Sequence, residues 1–249
     1  MRILLNGYCG HMGAEVIRLC EAGYRGAELV AGVDPHAPTD APVPCATDFS
    51  GAARNVDCIV DFSHHDCTRA LLAFAVENHL PLVLATTGQT EAERAAIAEA
   101  AREIPLFFAA NYSLGIALLV ELAKKTAAAM PDAEIEIIEK HHNRKLDAPS
   151  GTALALAEAI RSVRTDAEFV CGRSGAGKRK PNDIGIHAIR MGNIVGEHEV
   201  IIGTANQTIT LRHEAHSRAL FAEGALAAAE FLCSVDRAGL YDMKSLVAF

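Results

Sequence analysis

Through its first 110 or so residues the chain alternates short, largely unbroken apolar runs with longer stretches of helical period. Residues 2–6, 29–33, 58–61, 82–85 and 106–109 are continuous rather than alternating in hydrophobicity, as expected of strands buried on both faces. Between them, 12–23, 66–78 and 91–103 predict helices, the last opening on Thr90-Glu91-Ala92-Glu93, where hydroxyl and carboxylate can cap free N–H groups reciprocally. Repeated strand–helix units of this kind predict an α/β fold with a doubly wound parallel sheet, whose ligands collect at the carboxyl ends of the strands.

After Asn111-Tyr112-Ser113 the pattern changes. A helix over 114–129 leads to a strand at 133–139, and two further strand-like segments, 184–191 and 198–212, contain alternating stretches such as Thr208-Ile209-Thr210-Leu211. Alternation predicts a sheet with one face less buried, so this half reads as α+β. Residues 171–183 hold three Gly, one Pro and four Lys or Arg, the make-up of a mobile surface loop. A long alanine-rich helix over 217–231 is of a size to pack back on the first domain.

Composition narrows the field. With 249 residues, half of them apolar, the chain can build one or two cores without disulfide or metal staples. Its 23 Lys or Arg against 31 Asp or Glu give a formal net charge of −8, which lacks the basic footprint of a nucleic-acid binder. Glycine arrives at position 7, too early for a secretory signal, and no apolar run approaches the ~18 residues of a membrane span. Seven scattered cysteines, none spaced C-x-x-C, read as reduced thiols without structural zinc. The expectation is a cytoplasmic protein with no membrane, nucleic-acid or metal partner.

Gly7-Tyr8-Cys9-Gly10-His11-Met12-Gly13 lies between the first strand and the first helix. There a glycine-rich turn lets backbone N–H groups approach a pyrophosphate at a helix N-terminus. Its G-x-x-G-x-x-G spacing departs from the commoner G-x-G-x-x-G, and an ordinary tight turn would look similar. Asp34 ends the second strand about 20 residues on, where an acid can accept from ribose hydroxyls, although Asp before Pro35 is also a common turn. Together these features favour a nicotinamide dinucleotide.

The densest chemistry is Glu139-Lys140-His141-His142-Asn143-Arg144-Lys145-Leu146-Asp147-Ala148-Pro149-Ser150-Gly151-Thr152. Several cation-capable side chains precede a Ser-Gly-Thr helix start, whose N–H groups and dipole favour an anion. A solvated charge run with Ser150 as a simple N-cap is the competing reading.

This run resembles the H-H-x-x-K-x-D-A-P-S-G-T signature of 4-hydroxy-tetrahydrodipicolinate (dihydrodipicolinate) reductases of lysine and diaminopimelate biosynthesis. The resemblance extends through the Gly7 to Gly13 turn, Asp61-Phe62-Ser63, Thr86-Thr87-Gly88, Ala109 to Ser113, Gly196-Glu197-His198, Arg212 to Arg218 and Gly239 to Met243. It implies a Rossmann-like dinucleotide domain, 1–112 completed by 219–249, and an α+β domain, 113–218, that binds substrate and builds a homotetramer. It further implies His141 and Lys145 as the catalytic proton donors, with His142, Ser150, Gly151 and Thr152 holding a small dicarboxylate substrate. Gly7, Tyr8, Cys9, Gly10, His11, Met12 and Asp34 would hold the adenosine and pyrophosphate half of the cofactor. Ala85, Thr86, Thr87, Ala109, Ala110, Asn111 and Tyr112 would receive its nicotinamide half. Where the family often has Arg, Gly and a basic residue, this chain has His11, Ala85 and Pro35; the first and third bear on coenzyme preference, and NADH is expected ahead of NADPH. Domain closure about 111–113 is expected to accompany catalysis.

In chemical terms, a cyclic imine with two carboxylates can accept a hydride from dihydronicotinamide, and a histidine can deliver the compensating proton. Another amino-acid-type dehydrogenase, acting on aspartate or diaminopimelate, and a non-catalytic NAD sensor are the alternatives. His213-Glu214-Ala215-His216 has the wrong spacing for a zinc helix, and His64-His65-Asp66 reads as a helix start capped by Asp66. Cys9 has no basic neighbour in the turn apart from His11, so a nucleophilic role is disfavoured.

Overall fold

The computed structural model describes residues 1–247. These divide into two compact units: Met1–Leu114 together with the chain from Ala219 onward, and Gly115–Arg218.

In the first unit, β1 (Arg2–Asn6), β2 (Glu28–Val33), β3 (Cys45–Ala46), β4 (Cys58–Asp61), β5 (Leu82–Leu84), β6 (Pro105–Phe108) and β12 (Gly239–Tyr241) form one sheet. Its order is β12-β6-β5-β4-β1-β2-β3, and every pairing is parallel. The unbroken apolar runs are explained by this arrangement, since Ile3, Leu4, Leu5, Ile59, Val60, Leu82 and Leu106 are fully buried. Helices α2 (Thr68–Glu77) and α3 (Glu91–Ala100) contribute Leu71, Phe74 and Ile97 to the cluster around Leu4, Ile59 and Leu82. Helices α1 (His11–Glu21) and α6 (Ala219–Ser234) pack together, and α6 buries a run of small residues, Ala225 to Ala229 interrupted only by Leu226. The Thr90–Glu93 capping box forms as read.

From β1 the chain winds outward to β2 and β3, then restarts at β4 and winds the other way. The gap between β1 and β4 is therefore the topological switch point, where α/β sheets bind ligands. Asn6 and Asp61 face each other in register there, with Asn6 Nδ2 donating to Asp61 Oδ1 at 2.7 Å.

The second unit holds α4 (Leu114–Ala129), β7 (Glu134–His141), α5 (Gly151–Arg161), β8 (Glu168–Cys171), β9 (Asp183–Arg190), β10 (Gly196–Thr204) and β11 (Gln207–Ala215). The sheet order is β11-β10-β7-β9-β8, antiparallel at β7/β10 and β10/β11 and parallel elsewhere. One face is packed by α4 and α5 around Ile135, Ile137, Ile184, Val200 and Ile202. The single segment expected at 198–212 is instead a hairpin, β10 and β11 joined through Ala205 and Asn206. No Gly or Pro marks that turn, which is why the pattern ran on across it.

Of residues 171–183, read as a mobile loop, 171 and 183 end the flanking strands, and the segment 172–182 is irregular but tied down. Arg173 bonds Asp183 and Glu136, each at 3.0 Å, Arg179 donates to the Asp183 carbonyl at 2.7 Å, and Lys180 pairs with Glu168 at 3.0 Å. Its cations answer acids on β7, β8 and β9, a pairing invisible in local composition.

Candidate functional site

In the first unit, β1 runs directly into the glycine turn. Gly7 has φ +86, and a Cβ there would stand 2.5 Å from the Phe62 carbonyl oxygen; one on Gly13 would stand 2.3 Å from the Gly7 carbonyl. The first and third glycines are thus required by a tight turn and by close helix–strand packing. Gly10 is the N-cap of α1, offers no side chain to close the helix end, and is followed by a first turn without acids. The positive end of α1 is left open to an anion.

Asp34 is buried at the end of β2, its Oδ2 accepting from Cys9 N and its Oδ1 from His36 N, both at 2.9 Å. The acid therefore fixes the glycine turn against the second strand, and each oxygen retains a lone pair for a hydroxyl donor. Burial, and then the charge of Asp34, push the Cys9 thiol up, against a nucleophilic role.

At the carboxyl ends of the central strands lies a cavity of 270 Å³ lined by Met12, Phe62, Ala85, Thr87, Ala110, Asn111, Tyr112 and Phe221. It gathers six of the expected cofactor residues and adds Phe62 and Phe221, the latter from α6, far along the chain. Thr86 is buried beside it, and Gln89 donates to the Thr86 carbonyl at 2.8 Å. The Tyr112 hydroxyl turns into the sheet, donating to the carbonyls of Leu84 (2.9 Å) and Phe107 (3.1 Å), so this side chain braces the connection. Burial pushes Asp61 up against the hydrogen bonds from Ser63 and Asn6.

His65–Cys67 make a 3-10 turn ahead of α2, and its cap is His64, whose Nδ1 accepts from Asp66 N at 3.4 Å; Asp66 itself does not cap. The imidazole takes the capping place two residues ahead of the expected carboxylate.

In the second unit, alternation along β7 puts Ile135, Ile137 and Glu139 on the buried face. Glu139 is fully buried. Its Oε2 lies 2.6 Å from His141 Nδ1, Arg190 on β9 grips both oxygens at 2.7 and 2.8 Å, and Ser150 N donates to Oε1 at 2.9 Å. Burial raises the Glu139 carboxyl, but the bonds from Arg190, His141 and Ser150 outweigh it and hold the group below the usual range.

On β10, His198 is buried with its ring edge-on to His141 at 5.1 Å and its Nε2 3.2 Å from Ser150 Oγ. Burial, then the neighbouring His141, push it down to about 4. A neutral His198 accepts from the Ser150 hydroxyl, while that oxygen accepts from Ala153 N as the N-cap of α5. Neither polar group of Ser150 is thereby left over for a ligand.

The His142 backbone N–H is held by the Ile194 carbonyl at 2.8 Å; withdrawal from water, then Arg144, Arg218, His141 and Lys145, push its ring down. Lys145 Nζ lies 2.7 Å from Asp147 Oδ1, and the Gly151 N–H also donates to Asp147. These contacts, Lys145 first, hold the Asp147 carboxyl below its ordinary range. A carboxylate of the chain itself thus bridges the lysine and the start of α5.

His141, Lys145, His142, Ser150 and Gly151 are brought together around β7 and the start of α5, where Thr152 is also placed. Sequence reading missed Glu139, Arg190 and His198. For Glu139 and His198 a signal existed, a polar residue on the apolar phase of an alternating strand; Arg190 carries no such mark.

An α/β unit with a glycine turn open to an anion and a strand-end cavity, in one chain with a unit that carries a histidine–carboxylate dyad at a helix start, defines a nicotinamide-dependent oxidoreductase. Residues 1–112 match the model for the N-terminus of dihydrodipicolinate reductase and residues 115–247 that for its C-terminus. The chain belongs to the dihydrodipicolinate reductase family. It is 45% identical over 250 residues to a 4-hydroxy-tetrahydrodipicolinate reductase of Caldanaerobacter subterraneus subsp. tengcongensis, covering 99% of this chain and 98% of that one. A 4-hydroxy-tetrahydrodipicolinate reductase of Clostridium botulinum is 42% identical at the same coverage. In fold it is similar to the dipicolinate-bound dihydrodipicolinate reductase of Paenisporosarcina sp. TG-14, with TM-score 0.81, 24% identity and 99% of both chains covered.

Proposed function

We propose that the chain reduces 4-hydroxy-tetrahydrodipicolinate to tetrahydrodipicolinate with NAD(P)H in lysine and diaminopimelate biosynthesis, releasing water and oxidised cofactor. The observation that carries this reading is the match of both units to one reductase family, joined to a basic histidine site at the start of α5.

The first unit suits a dinucleotide. Gly7 to Met12 would offer backbone N–H groups and the open end of α1 to the pyrophosphate, Asp34 would accept from the adenosine ribose, and Ala85, Thr86, Thr87 and 109–112 in and beside the cavity would hold the nicotinamide. The nicotinamide supplies the hydride. His141 protonates the carbon or nitrogen that receives the electrons, and Lys145 protonates the departing hydroxyl or ring nitrogen and offsets carboxylate charge. His142, Gly151 and Thr152 hold the dicarboxylate, and Ser150 keeps the first turn of α5 formed.

NADH is preferred, since Asp34 repels a 2′-phosphate and Pro35 brings no cation. The protein is a cytoplasmic homotetramer assembled on the second sheet, whose partly open face carries Ile138, Ile189 and Ile201. No helix among the described residues is long and apolar enough to cross a membrane.

The test is NADH oxidation driven by freshly made condensation product of pyruvate and aspartate-semialdehyde. Turnover supports the assignment. Oxidation with diaminopimelate or aspartate in place of that product would favour the other dehydrogenases.

A further inference from the structure

A carboxylate on the core face of a strand is costly unless it is paired and hydrogen-bonded. Glu139 meets that condition with four donors on two oxygens: Arg190 twice, Ser150 N, and His141 Nδ1. Arg190 and the peptide N–H can only donate, so the oxygens they face must be acceptors. Only His141 could take a proton from Glu139 or give one to it.

We propose that Glu139 is the positioning residue of the reduction: it locks His141 in the Nδ1–H tautomer, so that Nε2 is the nitrogen that carries the transferable proton, and Arg190 is its buried counter-cation. The inference rests on the function proposed above. In the step it serves, the Nε2–H bond breaks and a bond from that hydrogen to the reduced substrate forms. The electron pair stays on Nε2, and a proton from water later restores the imidazolium. Gly196 of β10 keeps the working nitrogen clear, since a Cβ there would stand 3.2 Å from His141 Nε2. The charged and titratable groups around the ring are Glu139 on its own strand, Arg190 on β9, His198 on β10 and the adjacent His142, with Lys145 acting on both His142 and His198.

Counting donors gives a specific expectation for Glu139→Gln. An amide nitrogen in the Oε1 place would oppose two fixed donors, Ser150 N and Arg190, whereas in the Oε2 place it opposes one of the Arg190 contacts and faces a ring that can switch. The NH₂ therefore turns to His141, donates to Nδ1, and moves the ring proton to Nε2. The imidazolium, with N–H on both sides, then confronts a donor and is disfavoured.

The experiment is ¹⁵N–¹H correlation of the His141 ring in the full chain, assigned by its loss in His141→Gln, together with steady-state kinetics. Wild type should show neutral His141 protonated on Nδ1. Glu139→Gln should show it on Nε2 with kcat lower by ~10²–10⁴-fold, while KM for the dicarboxylate and Kd for NADH stay within a few-fold. Glu139→Asp should recover Nδ1–H and most of kcat.

An Nε2–H tautomer in wild type overturns the proposal whatever the variants do, including a Glu139→Gln chain that fails to fold. Equal loss in the Gln and Asp variants, or wild-type kcat in Glu139→Gln, also overturns it. If wild type turns over no condensation product, the function reading fails, and the tautomer spectra, which need no substrate, still decide the role of Glu139.

Discussion

Asp147 illustrates how a single residue can shape the site. Its carboxylate bridges Lys145 and the Gly151 N–H, two groups assigned to a substrate carboxylate, so a dicarboxylate must displace it. Asp147 is more than half exposed, which limits the pair to ~0.2–1 kcal/mol. Asp147→Asn should therefore tighten dipicolinate binding by about two- to fivefold in calorimetry; equal or weaker binding would show that Asp147 does not compete. A second test at this scale concerns Asp34. In Asp34→Ala the ratio of kcat/KM for NADPH over NADH should rise, and a wild-type preference for NADPH of about tenfold, worth ~1.4 kcal/mol, would reverse the coenzyme assignment. Most of these residues could be read from the sequence because each sits in a dense local run: the glycine turn, the paired histidines, the Ser-Gly-Thr helix start. Arg190 could not, because its importance comes from a strand pairing 51 residues away from Glu139.

Among the elements, continuous and alternating strands were told apart by hydrophobic phase, and both sheets follow that distinction. What local phase does not carry is a reversal of direction without turn residues, as in the β10–β11 hairpin, where the Asn206 N–H finds Thr204 Oγ1 at 3.4 Å in place of a glycine turn. Nor does it show that a basic loop will find acids on three strands. The element on which the site depends most is α5. Ser150 caps it through Ala153 N and is bound in turn by His198 and Glu139, so the helix start and the dyad stand on one network. Ser150→Ala removes the cap and leaves His198 Nε2 buried without its donor. It should cost ~1–2 kcal/mol in urea unfolding and weaken dipicolinate binding, since the N–H groups of a frayed first turn no longer converge. Unchanged stability would mean that His198, rather than Ser150, holds this end of the helix.

For the whole chain the same network sets the response to acid. His198 is held neutral, pushed down to about 4 by burial and then by His141, with Glu139 acting the other way and His213 and Lys145 reinforcing the shift. In the unfolded chain a histidine titrates near 6.5. A group whose folded value is depressed gives stability that is complete above the unfolded value and lost as the pH falls toward the folded one. Over the window from about 6.5 to about 4 the unfolded chain takes up a proton that the folded chain refuses, and stability declines. Between pH 7.5 and 5 the share due to His198 is about 2 kcal/mol. His142 and His213, also depressed, push in the same direction, while Asp61, raised by burial, pushes in the other. Because those three remain in a His198→Gln variant, the difference between variant and wild type isolates His198. The urea midpoints of both proteins, taken at pH 7.5 and 5 and at one fixed chain concentration because assembly would shift them, give that difference. Wild type should lose about 2 kcal/mol more than the variant on acidification. An equal loss would mean that His198 is protonated in the folded protein, and the Ser150 hydroxyl would then have to accept from His198, not donate to it.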